Sequence, residues 1–202
     1  MQSGAAEGGI GSSELSKRKV NLLIVASSLW IGGAEMVIRS LARAIDRSRF
    51  NVTVCHLKQR GHIGDELFRE GIDIVGISAL KPVRFSVDYF SFVKLQRVLR
   101  GRKIDLVHTH TTHGLVDACL CKLLMPRLRV IHTFHFGNYP YIGTRIRFME
   151  RMFSRIANQL IAVGDTQRQK IRTVYGFSDR QISTIWNGVS TRSGSGDPRF
   201  RG

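Results

Sequence analysis

The chain has 202 residues, 43% of them hydrophobic and 23% charged, values that argue against disordered, collagen-like and coiled-coil classes. Lys and Arg number 31 against 15 Asp and Glu, a net charge of +16. That excess favours phosphorylated ligands, anionic lipid or nucleic acid without choosing among them. Three cysteines with no Cys-x-x-Cys argue against a disulfide scaffold or zinc ribbon and for a reducing, cytoplasmic setting. No apolar run approaches the roughly 18–20 residues of a spanning helix, and no signal-peptide pattern stands at the start. The expectation is a soluble protein, at most peripheral on the inner face of a membrane.

Residues 1–18, rich in Gly, Ser and Ala, read as a disordered leader, and residues 190–202 repeat that texture. Between them, short β-branched runs alternate with longer amphipathic stretches. Strands are expected at 20–26, 52–57, 72–77, 104–108, 129–134, 160–163 and 182–186. Most are continuous apolar runs, as in a parallel sheet covered on both faces. Helices are expected at 33–45, 63–70 (stopped by Gly71), 87–100, 115–124, 142–157 and 166–175 (stopped by Gly176). In the fifth, Ile146, Met149, Phe153 and Ile156 are expected inside, with Arg145, Arg147, Arg151 and Arg155 facing elsewhere. The alternation predicts one doubly wound, mostly parallel, Rossmann-like α/β domain over 19–189.

In such a sheet, ligands sit beyond the carboxyl ends of the strands. The unusual residues gather there. Gly32 and Gly33 follow the first strand, His110 the fourth, His135 the fifth, Asp165 the sixth, and Asn187-Gly188 the seventh. A glycine pair opening a helix lets backbone approach a ligand, and the free N–H groups favour an anion. The same pair is also ordinary turn chemistry. Neither Gly-x-Gly-x-x-Gly nor a P-loop is present. His108 and His110 share a strand face, as metal ligands can, but no acidic neighbour orients the rings and no metal is expected. His108 and His132 read as satisfied core residues. His135, at its strand's end, is placed to meet substrate as hydrogen-bond donor or acid/base group. Cys119 and Cys121 read as core. The four arginines either form a solvated face or contact an anionic membrane or phosphorylated acceptor. Without a helix-turn-helix, zinc finger or RNA-binding aromatic motif, nucleic acid is not expected as a partner.

The motifs Gly32-Gly33-Ala34-Glu35, Asp105-Leu106-Val107-His108-Thr109-His110, Val130-Ile131-His132-Thr133-Phe134-His135 and Ile185-Trp186-Asn187-Gly188-Val189 resemble, in that order, the N-terminal domain of glycosyltransferase family 4. The resemblance covers about residues 20–189. It implies the GT-B architecture, in which two Rossmann-like domains face across a cleft, one for acceptor and one for nucleotide-sugar. It also implies retaining, metal-independent hexosyl transfer from a UDP- or GDP-sugar to a cell-envelope polysaccharide, glycan, lipid-linked or phosphorylated acceptor. By resemblance Gly32 and Gly33 approach the donor diphosphate and sugar, and His135 contacts the sugar near the reacting carbon. His110 and Asp165 join them in substrate binding, although relatives often hold serine where Asp165 stands. The family's Glu-x7-Glu pair is not found after Val189. Residues 190–202 are therefore expected to be a linker to, or the truncated start of, a C-terminal donor domain, supplied in cis or trans, and the chain alone to be inactive. The alternative is a stand-alone Rossmann-like anion- or nucleotide-binding module without catalysis.

Overall fold

In a computed structural model, residues 18–77, 91–135 and 143–188 are described. Seven strands alternate with six helices: β1 (Val20–Ser28), α1 (Gly33–Ala44), β2 (Phe50–Gln59), α2 (Gly61–Arg69), β3 (Asp73–Gly76), α3 (Ser91–Gly101), β4 (Leu106–Thr109), α4 (Thr112–Leu124), β5 (Arg129–Phe134), α5 (Thr144–Ser154), β6 (Gln159–Ala162), α6 (Asp165–Tyr175) and β7 (Ile182–Thr184). All pairings are parallel, in the order β3-β2-β1-β4-β5-β6-β7. The strand order reverses between β1 and β4, so the crevice beyond those two strands is the switch point where such sheets take ligands.

Residue alternation decides which helices cover which face. Leu22, Ile24 and Ala26 of β1 pack with Val52 and Val54 under Ile38 and Ala42 of α1 and Ile63 and Leu67 of α2. Leu23, Val25, Val107 and Val130 meet Leu95 and Leu99 of α3, Leu115 and Cys119 of α4, and Phe153 of α5 on the other face. α6 extends that second layer through Ile171 and Tyr175 against Phe134, Leu160 and Ala162. The α1 face of β5 and β6 is thinly covered among the described residues: Ile131, Ile161 and Val163 are half-buried.

The sequence places the strands within a few residues, because a run such as Leu22–Ala26, entirely buried, can only be a strand shielded on both sides. Gly71 (φ +80°) and Gly176 (φ +68°) are left-handed and close α2 and α6 as expected. Gly101 is the last residue of α3. α4 starts three residues earlier than expected because Thr111 caps it, its side chain accepting from the Gly114 N–H at 3.1 Å.

α5 departs from expectation. It buries Glu150, Phe153 and Ser154, leaving Ile146 (49%), Phe148 (66%), Met149 (41%) and Met152 (43%) exposed. The reason is polar: the Glu150 carboxylate sits inside the fold, accepting from Thr112 Oγ1 at 2.8 Å and from the buried Tyr175 hydroxyl. That bond ties α5 to α4 and α6 and turns the apolar stripe outward. Residues 1–17, 78–90, 136–142 and 189–202, which include nearly all the expected leader, the start of the third expected helix and the linker, lie outside the described residues.

Candidate functional site

At the switch point, β1 runs into the loop Leu29–Gly32. Leu29 is fully buried, whereas Trp30 and Ile31 are exposed. The turn between β2 and α2 holds this loop. Gln59 O accepts from Leu29 N at 3.1 Å, Leu29 O from Ile63 N at 2.9 Å, and Gln59 Oε1 from Trp30 Nε1 at 2.8 Å. Gly61 makes the closeness possible. Its φ is +59°, and a Cβ there would lie 2.5 Å from the Leu29 backbone, so only glycine fits. This support was not read from the sequence; its signal was a glycine two residues beyond the end of a strand.

The two glycines of the loop differ. Gly32 is extended (φ −164°) and precedes α1 without a side-chain cap. A Cβ on it would lie 2.4 Å from Glu35 Oε2, a mobile carboxylate able to move aside. A Cβ on Gly33 would meet nothing within 4 Å. No packing within the described residues requires glycine at that exposed position. What it leaves clear is the approach to the first N–H groups of α1, where the helix dipole is positive. Gly33→Ala is therefore expected to leave the melting temperature within about 1–2 °C, while weakening pyrophosphate binding about tenfold, or about 1.4 kcal/mol. Calorimetric titration of both proteins checks this.

Beyond β4 and β5 lies a set of imidazoles joined across the strands. The register Thr109↔His132 brings them together. Nδ1 of buried His132 stands 2.8 Å from Thr109 Oγ1 and 3.1 Å from Thr109 O. His108 Nε2 stands 2.8 Å from Thr133 Oγ1. His110 is 3% exposed, and its Nδ1 lies 2.7 Å from Nε2 of half-buried His135. Burial disfavours the imidazolium in every case. It pushes His108 and His135 down to about 4 and His132 to about 3, and holds His110 well below the usual histidine range. All four rings are neutral at pH 7. His132 is a satisfied core residue, as read from sequence; His108 has a partner in Thr133 but is half-buried and not a core residue. Among the described residues no group of His, Cys, Asp and Glu is arranged to hold a metal ion.

His108, His110 and Thr133 also floor a groove of about 300 Å³ whose walls include Val37 and Leu41 of α1, Ile161, and Trp186. Asp165 stands farther along the rim. It opens α6 and accepts from Thr184 Oγ1 at 2.6 Å, a bond that ties α6 to β7. The structure thus brings Gly33, His110 and His135 to the switch-point side and leaves Asp165 two strands away from β4. Arg145, Arg151 and Arg155 are exposed and Arg147 is half-buried. Arg151 donates from Nε to Tyr175 O at 3.2 Å. All three cysteines are buried, their thiols pushed up to about 12, which suits packing and not nucleophilic chemistry. No helix among the described residues is long and apolar enough to cross a membrane.

The fold resembles HepE of Anabaena, solved with UDP and glucose, at 18% identity and a TM-score of 0.68, over 83% of this chain and 44% of that one. It also resembles WaaB, a lipopolysaccharide outer core galactosyltransferase (15%, TM-score 0.61, 86% of this chain and 47% of that one). A third is the UDP-GlcNAc 2-epimerase of Methanocaldococcus jannaschii (14%, TM-score 0.57, 84% and 46%). The chain spans less than half the length of each, and at these identities the likeness is one of fold. A search of curated proteins finds no match. The model of Glycosyltransferase Family 4 matches residues 31–193, from the loop before α1 to beyond β7. This chain belongs to glycosyltransferase family 4.

Proposed function

We propose that this chain is the acceptor-side domain of a retaining, nucleotide-sugar-dependent glycosyltransferase. It would pass a hexosyl group from a UDP- or GDP-sugar to a glycan, lipid-linked or phosphorylated acceptor when a donor-holding domain faces its rim. Two observations support the reading: the open α1 N-terminus at Gly33, beyond β1, and the contact of His135 with His110, beyond β5 and β4, all on the carboxyl-end rim of neighbouring strands. As the bond from the anomeric carbon to the diphosphate breaks, negative charge gathers on the leaving group. The amides at the start of α1 meet that charge, and His135 reaches the sugar beside it. His110 and Gly32 join them in substrate binding, and Asp165 holds the far rim.

On this reading the purified chain gives no turnover with UDP-glucose or GDP-mannose and a glycan acceptor, because half the cleft is supplied by another domain. Joined to a donor domain it forms product with the anomeric configuration of the donor, read by proton NMR. Turnover by the isolated chain contradicts the division of labour, and inverted product contradicts retention.

The outward face of α5 fits the same setting. Phe148 and Met152 stand exposed between Arg145, Arg151 and Arg155, and the helix's one carboxylate, Glu150, is buried. Apolar side chains ringed by arginines suit the headgroup boundary of an anionic bilayer, where a lipid-linked acceptor would be met. Vesicles of phosphatidylglycerol and phosphatidylcholine are expected to retain the chain. Replacing Arg145 and Arg155 by Gln costs about 1 kcal/mol each, or about 30-fold together. Equal partitioning of the double variant, or equal binding to neutral vesicles, contradicts the assignment.

A further inference from the structure

The contact between His110 and His135 has a direction. The two rings lie 5.0 Å apart between centroids and 23° from coplanar, with Nδ1 of His110 and Nε2 of His135 separated by 2.7 Å. That is an edge-to-edge N–H···N bond, and with both rings neutral one nitrogen must donate and the other accept. Nε2 of His110 is buried and has no hydrogen-bond partner. If His135 donated, His110 would have to carry its proton on that nitrogen, leaving a buried N–H without an acceptor. Such orphaned donors are rare and cost about 1–3 kcal/mol. If His110 donates from Nδ1, only a bare lone pair is left buried at Nε2, and the donor is satisfied. The small intrinsic preference of imidazole for Nε2–H does not outweigh this.

We propose that His110 is a positioning residue that locks His135 as the Nδ1–H tautomer. His135 Nε2 is then occupied as an acceptor, and its Nδ1–H, which makes no hydrogen bond among the described residues, is presented at the rim. A neutral N–H donor recognises an oxygen acceptor: a hydroxyl, a ring oxygen or a glycosidic oxygen of a sugar. It cannot remove a proton from an attacking hydroxyl, because its one basic nitrogen is engaged with His110. The inference rests on the reading of His135 as a sugar contact for its purpose, but not for its geometry. It resolves the choice between hydrogen-bond donor and acid/base group in favour of the donor. It also moves His110 from substrate binding to support, as its 3% exposure suggests.

The test is the nitrogen spectrum of the 202-residue chain, labelled with ¹⁵N-histidine, at pH 7.5. Two-bond proton–nitrogen correlations separate protonated from bare ring nitrogens. The expected pattern for His135 is a protonated Nδ1 and a bare, hydrogen-bonded Nε2, with His110 also protonated on Nδ1. In His110→Phe the lock is lost, and His135 is expected to shift toward the Nε2–H form that predominates in free histidine. A wild-type His135 protonated on Nε2 overturns the proposal. So does an unchanged His135 tautomer in a folded His110→Phe protein. The wild-type spectrum is decisive even if the variant does not fold. Because no ligand is added, the result is separate from the fate of the glycosyltransferase reading. Failure of sugar transfer would leave the tautomer intact and remove only its purpose.

Discussion

Replacing His135 by alanine is expected to lower kcat/KM of the assembled enzyme by about 10²-fold or more, the scale of losing one aimed donor at a reacting centre. The loss should fall mainly on kcat. A donor beside the anomeric carbon gains strength as charge redistributes during bond breaking, and interactions stronger in the transition state raise kcat without tightening ground-state binding. The same substitution also removes the acceptor for His110 Nδ1, a buried group whose desolvation then costs about 1–3 kcal/mol of stability. His110→Phe separates the two effects: it disturbs the core but leaves a ring at 135. A rise in KM with kcat unchanged in His135→Ala would show that the ring binds substrate without acting on the reacting atoms.

Acid is expected to unfold this chain well before its carboxylates titrate. His108, His132 and His135 have native values near 4, 3 and 4, and burial holds His110 well below the usual histidine range, against an ordinary value of 6.5 in the unfolded chain. Between pH 6.5 and about 4 the unfolded state therefore binds protons that the native state refuses, and stability falls as pH falls through that window. Above pH 6.5 the contribution is complete and flat. Each unit of displacement is about 1.4 kcal/mol per ring. Two units across His108 and His132 alone approach the total stability of an ordinary domain, about 5–15 kcal/mol. Glu66 and Glu70 are held below their ordinary 4.5 by hydrogen bonds from Arg43, so their loss comes at lower pH and can be told apart. The check is the melting temperature from pH 7.5 to 4.5, expected to drop steeply below 6.5. His132→Asn, which can keep a donor to Thr109, is expected to make the slope shallower. A flat profile would mean that the rings take up protons in the native state.

How much could be read beforehand depended on the range of the interaction. Strands such as Leu22–Ala26 and helix stops such as Gly176 are local, since apolar continuity and a left-handed residue leave marks at their own positions. The rim was legible too, because in a parallel sheet every strand's carboxyl end points the same way. The imidazole bonds were not. His110 and His135 are 25 residues apart, and their meeting depends on the β4–β5 register, which no local pattern encodes. α5 misled for a related reason. Apolar residues at helical spacing normally face inward, but the buried partners of Glu150 lie on α4 and α6, and their pull set the helix's rotation. Gly32 and Gly33 look alike in sequence; only the space around each Cβ tells the one that faces a carboxylate from the one that faces open approach.

Ligand is expected to enter at the switch point between β1 and β4. This entry is tested most directly by an amide-resolved NMR titration of the 202-residue chain with UDP-glucose. Saturable shifts are expected at Gly33, Ala34 and Glu35 of the α1 N-terminus and at His110, Thr111 and His135 beyond β4 and β5. Those amides unmoved at saturation, with the shifts gathered on the arginines of α5 or at the opposite edge of the sheet, would contradict it.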